Sequence, residues 1–343
     1  MFRGCYTALV TPMLKNHEID FTGLETLVNF QISQGVSGIL AVGTTGESAT
    51  LNAEEQKAVI KTVYECSGEQ VTIIAGTGSN CTKKALENTR KAYDIGVRAV
   101  LLVDPYYNGP SSLEIRREYV APIAEKFPEV QIIPYVIPSR TGTQLLPQDL
   151  AILHSQYSNV RAVKEATGDL DNMRLTRKLC GQDFDILSGD DDKTYAMMTD
   201  PAIKATGVIS VISNIAPAAV QKMTNLILEG KTEEAKNLYE KLQPLFNIVT
   251  VKTIEETPFG TRLVKARNPL PCKTLMNILG MPAGTLRPPL GKMTKKGLDK
   301  VLEAARKVYE ESPEILKPIE NFFDVNLSER LYNEKYWKDL SYD

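Results

Sequence analysis

Short apolar runs typical of buried strands alternate with longer segments of helical periodicity from the N-terminus to about residue 230. The runs are four to six residues long, are rich in β-branched or small residues, and end at glycine-, proline- or polar-rich turns. They predict strands over 5–10, 38–42, 71–75, 99–103, 131–135, 160–164, 184–187 and 207–211. The segments between them predict helices, among them 21–34, 53–66, 82–95, 113–126, 148–155 and 216–228.

Eight such β/α units within about 230 residues are typical of an α/β protein of the (β/α)8 TIM-barrel class. A doubly wound open sheet is the alternative, although it more commonly has fewer parallel strands in this length. We therefore expect residues 1–230 to form the barrel. In a barrel, the chemistry lies in the turns that follow the carboxyl ends of the strands.

Beyond the barrel the pattern becomes helical, over 232–247, 271–279 and 295–311, which predicts a C-terminal helical domain over 231–311. A stretch of mixed character, 251–267, interrupts it, and the pattern does not indicate its role. Residues 312–343 form a C-terminal extension whose aromatic side chains include Tyr332, Tyr336 and Trp337. Because so many apolar residues disfavour a solvated tail, we expect this extension to dock on the protein or on a partner subunit.

Composition narrows the function classes. The chain has 343 residues, a formal net charge of -2 and no long basic block, which argues against nucleic acid as a partner. Its five cysteines form no CxxC pair, and its two histidines, His17 and His154, lie far from the predicted turns, so we expect neither disulfides nor a metal. Without a signal-peptide pattern or a membrane-length apolar run, a cytoplasmic protein with a small-molecule substrate is expected.

Lys164 is the candidate nucleophile. It ends the predicted strand 160–164 and precedes a turn of small residues, so its amine faces whatever that turn encloses. In a partly apolar pocket an amine loses hydration, its pKa falls, and it can attack a ketone to form a Schiff base. The simpler alternative is a lysine that caps a strand and points into water.

Other turns offer complementary chemistry. Gly43–Ser48, with its two threonines, suits a carboxylate, and the phenol of Tyr135 could relay protons with the help of Thr45 and a second tyrosine. The planar guanidinium of Arg140 suits a second carboxylate. Each side chain taken singly could instead serve only packing or a local ion pair. Gly76–Gly78 lacks the third glycine of a dinucleotide fingerprint and 230–232 lacks a P-loop spacing, so no cofactor is expected.

Taken together, five turns resemble the dihydrodipicolinate synthase family over residues 1 to about 310. They are Gly43–Ser48, Tyr106–Asn108, Pro138–Gly142, Lys164–Gly168 and Ser188–Asp191. The resemblance implies a class I aldolase-type barrel that assembles as a homo-oligomer, a dimer or a tetramer of two tight dimers. It also implies condensation of pyruvate with L-aspartate 4-semialdehyde in the pathway to lysine and diaminopimelate.

By that resemblance Lys164 forms the imine with pyruvate and Tyr135 moves protons. Thr45 and Tyr107 of the partner subunit complete the proton relay. Arg140 binds the carboxylate of the semialdehyde. The pyruvate end is held by Thr44, Thr45 and the backbone at Gly189 and Ile209.

Two departures from the family pattern stand out. Val136 replaces the usual asparagine after the catalytic tyrosine, which predicts altered turnover or substrate preference. Ser48, Ala49, Asn80 and Tyr106 match the site at which feedback-inhibited relatives bind lysine. However, Lys84 occupies the position of a glutamate, and Ala53 and Gln56 replace histidines. Because two ammonium groups repel, weak or absent inhibition by lysine is expected.

Two other functions remain open from the sequence. A related 2-oxo acid aldolase, of the N-acetylneuraminate lyase or sugar-acid type, would use the same lysine and tyrosine. A barrel that binds a metabolite without turnover is the non-enzymatic alternative. Retention of every residue that the condensation requires argues against it.

Overall fold

The computed structural model describes residues 2–342 and contains a closed barrel of eight parallel strands. β1 pairs with β2 on one side and with β8 on the other, which closes the sheet. The strands are β1 Gly4–Ala8, β2 Gly38–Ala41, β3 Thr72–Gly76, β4 Ala99–Val103, β5 Gln131–Val136, β6 Ala162–Glu165, β7 Asp185–Ser188 and β8 Gly207–Ser210. The predicted α/β barrel is confirmed, with strand ends that differ by a few residues from the predicted ranges.

Helices connect the strands and continue beyond the barrel. Those up to residue 230 are α1 Phe21–Ser33, α2 Ala53–Ser67, α3 Thr82–Ile95, α4 Ser112–Glu114, α5 Ala121–Lys126, α6 Pro138–Thr141, α7 Pro147–Gln156, α8 Leu170–Cys180, α9 Thr194–Thr199 and α10 Pro217–Leu228. The π-helical Ile115–Val120 joins α4 to α5. The later helices are α11 Thr232–Phe246, α12 Leu270–Leu279, α13 Lys295–Glu311, α14 Lys317–Phe323 and α15 Leu327–Tyr332. Across residues 2–342, no helix combines the length and apolar character needed to cross a membrane.

The strands are buried on both faces, and their side chains alternate between two cores. Leu40 lies in the core inside the barrel, whereas Ile39 packs in the core between the barrel and the helices. On β6, Val163 occupies the outer core. The next side chain, that of Lys164, therefore points into the barrel.

The stretch of mixed character is a β-hairpin. β9 Thr250–Thr257 and β10 Gly260–Arg267 pair antiparallel, and β9 packs against α13. On β9 the side chains of Val251 and Thr253 are buried, while those of the alternating residues Thr250, Lys252 and Ile254 are exposed. A strand covered on one face only mixes polar and apolar residues, which is why its pattern fits neither a buried strand nor a helix.

The C-terminal extension packs on its own chain. Phe322 and Phe323 contact Phe30 of α1, with ring centroids 5.2 Å and 5.0 Å apart. Leu327 and Leu331 of α15 are fully buried. Of the two docking surfaces expected for 312–343, the structure shows the one within the same molecule.

Candidate active site

A cavity of about 440 Å³ lies at the carboxyl ends of the barrel strands. Six of the eight predicted site residues line it, namely Thr44, Thr45, Tyr135, Arg140, Lys164 and Gly189. The other two lie elsewhere. Ile209 is fully buried inside the barrel, and Tyr107 is 89% exposed on the outer surface of the chain.

Lys164 lies at the floor of this cavity and is only 5% exposed. It pairs with Tyr135 across β5 and β6, and its Nζ lies 4.2 Å from the centroid of the Tyr135 ring. The register of two neighbouring strands thus brings the candidate nucleophile and the candidate proton carrier into contact. The alternative of a solvent-exposed lysine does not describe this side chain.

Burial lowers the pKa of the Lys164 amine from its ordinary 10.5 to about 8. The nearby Asp190 and Asp191 carboxylates oppose this shift, and Arg140 adds to it. With a pKa of about 8, half of the Lys164 amines are neutral when the pH is also about 8. An unperturbed lysine would be neutral to only about 0.3% at the same pH. The site therefore holds a nucleophile that is available near physiological pH.

This pKa predicts a pH profile. Because only the neutral amine attacks, the rate of imine formation with pyruvate should rise with pH and level off above about 8. Rapid quenching with borohydride between about pH 6.5 and 9.5 measures that rate. This pH range lies above the pKa of Asp190, so the titration of Asp190 does not dominate the profile. A rate that keeps rising towards pH 10, as for an ordinary lysine, would contradict the predicted shift.

Tyr135 is the partner of this amine and is 4% exposed. Burial raises the pKa of its phenol well above the ordinary 10, while the Arg140 guanidinium acts in the opposite direction. The phenol consequently keeps its proton at neutral pH. It can donate that proton to a developing oxyanion or pass it along a hydrogen-bonded chain.

Asn268, which directly follows β10, is a site residue that the sequence reasoning missed. Its Nδ2 donates to Thr45 Oγ1 at 2.9 Å, and its backbone carbonyl accepts from a terminal nitrogen of Arg140 at 3.0 Å. In the expected relay Thr45 assists Tyr135, and in the structure the Thr45 hydroxyl accepts a hydrogen bond from Asn268. The only available signal is that Asn268 directly follows the stretch 251–267, whose mixed pattern does not indicate strands.

The loop that carries Thr44 and Thr45 starts and ends in strained backbone. Val42 and Glu47 have φ values of 59° and 58°, in the left-handed region that costs a β-branched residue most. Gly76 makes room for this turn, since a Cβ there would lie 2.1 Å from the Val42 carbonyl oxygen. Such strain persists only where the surroundings hold it, and it fixes the two threonines at the cavity.

Gly189 allows the chain after β7 to pass close to the nucleophile. A Cβ at this position would lie 2.8 Å from the Ala166 Cβ and 3.2 Å from Lys164 Cε.

The next residue, Asp190, lines the cavity. Burial, assisted by Asp192, raises the pKa of the Asp190 carboxyl to about 6. A carboxylate near Lys164 therefore stays ionised at neutral pH and can balance a cationic imine.

The expectation for Val136 needs correction. Because Tyr135 points into the barrel, the next side chain on β5 points outward, and Val136 is 1% exposed in the core between barrel and helices. It does not line the cavity. The physical reason for expecting altered turnover at this position, a lost hydrogen-bonding group in the site, is therefore wrong.

Comparison with known proteins decides the family. Residues 1–308 match the dihydrodipicolinate synthetase family. The chain belongs to this family. Within it, the chain is 42% identical over 306 residues to the 4-hydroxy-tetrahydrodipicolinate synthase of Methanocaldococcus jannaschii, a match that covers 88% of this chain and 98% of that one.

Solved structures of the dihydrodipicolinate synthetase family have the same architecture. The 4-hydroxy-tetrahydrodipicolinate synthase of Methylacidiphilum fumariolicum SolV superposes with a TM-score of 0.83 at 35% identity, covering 94% of this chain and 100% of that one. The enzyme of Cyanidioschyzon merolae with lysine bound superposes with a TM-score of 0.81 at 31% identity, covering 90% and 98%. The predicted family and its lyase activity class are confirmed, and the comparisons favour a synthase over a related 2-oxo acid aldolase.

Proposed function

We propose that the chain condenses pyruvate with L-aspartate 4-semialdehyde through an imine at Lys164. The observation that carries this proposal is the pairing of a buried amine of lowered pKa with the Tyr135 ring at 4.2 Å. The cavity around them also holds Arg140, a cation suited to a carboxylate. A ketone, an aldehyde and two carboxylates are the groups that such a cavity complements.

The chemistry follows from these groups. The Lys164 amine adds to the pyruvate ketone, and the ketone oxygen leaves as water to give the imine. Loss of a methyl proton forms an enamine, whose carbon attacks the aldehyde while Tyr135 or its relay protonates the new alkoxide. The amino group of the semialdehyde then attacks the imine carbon, closes the ring and releases Lys164.

Thr44, Thr45 and Gly189 line the same cavity as Lys164, which supports their proposed role in holding the pyruvate carboxylate. Ile209 is the residue before Ser210, the last residue of β8. Because its side chain is fully buried, only its backbone could take part. Within residues 2–342, the Arg140 guanidinium has one hydrogen bond, to Asn268, and its remaining donors are available, which supports its role with the second carboxylate.

Tyr107 supports a homo-oligomer. It is 89% exposed and has a φ of 86°, an unusual conformation for a large residue, while its backbone nitrogen donates to the Thr141 carbonyl at 3.3 Å. A large aromatic held outward at this cost suits contact with a second subunit. We propose that Tyr107 enters the relay of a neighbouring subunit in a cytoplasmic dimer or tetramer.

Reductive trapping tests the proposed reaction. Borohydride added with pyruvate should attach one reduced pyruvate to the peptide that contains Lys164, and a coupled reductase assay should show turnover of the semialdehyde. Trapping together with cleavage of N-acetylneuraminate or sugar acids, but without turnover of the semialdehyde, would favour a related aldolase. Binding of pyruvate without trapping would indicate a metabolite-binding barrel.

Insensitivity to lysine is a further expected result. Lys84 lies exposed in the first turn of α3, close in sequence to Asn80 of the proposed effector site, and a cation there repels the ligand's amine. Steady-state assays with added lysine should show weak inhibition or none. Lys84→Glu should strengthen inhibition, and a wild-type inhibition constant in the micromolar range would contradict the prediction.

A further inference from the structure

The hairpin presents one face to the cavity of Lys164. Lys252 of β9 pairs directly with Lys265 of β10, and Thr250 pairs with Arg267. Side chains alternate along a strand, so these pairs share the face opposite to that of the buried Val251. Lys252, Lys265 and Arg267 all line the cavity, and we call these three residues the cationic lip.

The cationic lip breaks a local rule of sheet stability. Like charges directly opposite each other on neighbouring strands destabilise the pair, and Lys252 faces Lys265 in that way. Within residues 2–342, none of the three lip residues has a carboxylate oxygen within the 4.0 Å of an ion pair. An unfavourable arrangement without compensation in the fold is typical of a functional site.

The balance of charge around the cavity is positive although the whole chain has a net charge of -2. Apart from Lys164, the described residues that line it include the three lip residues and Arg140 against only two carboxylates, Asp190 and Asp192. Asp192 is itself paired with Lys193 at 3.4 Å. A cleft lined mainly by one sign of charge raises the local concentration of ions of the other sign.

The cationic lip is continuous with the proposed substrate site. A terminal nitrogen of Arg267 donates to the Ser139 carbonyl at 3.3 Å, and Ser139 directly precedes Arg140. Asn268, which follows Arg267, bonds both Thr45 and Arg140. An anion bound at the lip therefore lies next to the residues that surround Lys164.

We propose that the cationic lip captures the anionic 2-oxo acid at the mouth of the cavity and raises the rate at which it reaches Lys164. This inference rests on the proposed function. Because pyruvate has a net charge of -1 whereas the semialdehyde has both an amine and a carboxylate, capture should act mainly on pyruvate. The lip acts before the covalent step. It should therefore affect the rate at which pyruvate reaches the cavity and not the rate of imine formation at saturating pyruvate.

The double variant K252Q/K265Q tests the inference. Its second-order rate constant for imine formation with pyruvate should be about three- to tenfold lower than that of the wild type at low salt. The difference should shrink as the Debye length falls from about 30 Å at 0.01 M to about 8 Å at 0.15 M ionic strength. The maximal rate at saturating pyruvate should not change.

Two matched variants test whether the effect depends on the charge of the lip residues and on their position at the cavity. K252R/K265R keeps both cations and should retain the wild-type rate constant. K126Q/K178Q removes the same amount of charge far from the cavity. Lys126 and Lys178 are exposed at the carboxyl ends of α5 and α8, which lie at the end of the barrel opposite to the cavity, where the next strands begin. This variant should leave the rate constant unchanged. Since K252Q/K265Q relieves a repulsion, its thermal midpoint should equal or exceed that of the wild type.

The outcomes separate this inference from the proposed function. If the wild type forms no imine with pyruvate, the proposed function fails. If the wild type forms the imine and K252Q/K265Q forms it at the same rate constant at every salt concentration, only the inference about the lip is overturned. A loss confined to the maximal rate, or an equal loss in K126Q/K178Q, would also overturn it.

Discussion

Lys164→Ala should abolish pyruvate-dependent labelling by borohydride and lower turnover at least about a thousandfold. The reason is that, in the part of the chain that the structure describes, no other amine lies at the floor of the cavity. Among the residues that line the cavity, Lys252 and Lys265 also have amines, but both are exposed on the hairpin and neither contacts Tyr135. Mass spectrometry of the trapped peptide and the coupled assay measure the two losses.

A matched variant tests whether the loss is specific. Lys178→Ala removes an exposed lysine at the end of α8, on the helix that follows the strand of Lys164, and should leave labelling and turnover at wild-type levels. Removing a buried amine that has no ion-pair partner among residues 2–342 should not unfold the barrel, so the thermal midpoint of Lys164→Ala should stay near or above that of the wild type. Labelling of the folded Lys164→Ala variant at an equal rate would refute the assigned nucleophile.

Lys273→Met should reduce the free energy of unfolding by about 3–5 kcal/mol. Lys273 of α12 is fully buried, and its Nζ donates to Glu47 Oε1 at 2.7 Å and to the carbonyls of Thr11 and Thr285 at 3.0 Å and 2.6 Å. Without this ammonium the buried Glu47 carboxylate keeps, among residues 2–342, only its bond from the Arg287 backbone nitrogen, at 2.9 Å. Urea unfolding with matched protein concentrations measures the loss.

Two comparisons make this prediction sharp. Lys231 and Glu229 form an ion pair with the same 2.7 Å separation, but both side chains are 53% exposed, so Lys231→Met should cost less than about 1 kcal/mol. Lys273→Met combined with Glu47→Gln should cost less than the sum of the two single variants, since it leaves neither charge unpaired. Equal losses for Lys273→Met and Lys231→Met would contradict the assigned role of burial.

The same ion pair connects stability with the site. Glu47 is one of the two left-handed residues that flank Thr44 and Thr45, and Lys273 joins it to α12 and to the segment around Thr285. A variant that survives the loss of Lys273 should therefore also bind pyruvate less well. The helix 271–279 was predicted from its apolar pattern. That pattern does not show that a lysine on this helix is buried, because the partner carboxylate lies 226 positions away.

The strands were the most predictable part of the molecule. Apolar runs that are buried on both faces have an unmistakable composition, and eight of them at regular spacing favour a barrel. The same regularity identified the turns after the strands as the place of the chemistry, and Lys164, Tyr135 and Arg140 were named from it. The hairpin was not predicted, because a strand with one exposed face mixes polar and apolar residues and resembles a loop.

The sequence by itself determined the barrel, the family and six residues of one cavity, since local composition and the order of the turns are properties of the chain alone. Only the tertiary structure decided the pKa of Lys164, which depends on burial, and the side of β5 on which Val136 lies. It also decided the contact of Asn268 with Thr45 and the placement of Lys252 opposite Lys265. These are through-space relations between distant segments, and desolvation and charge act through space.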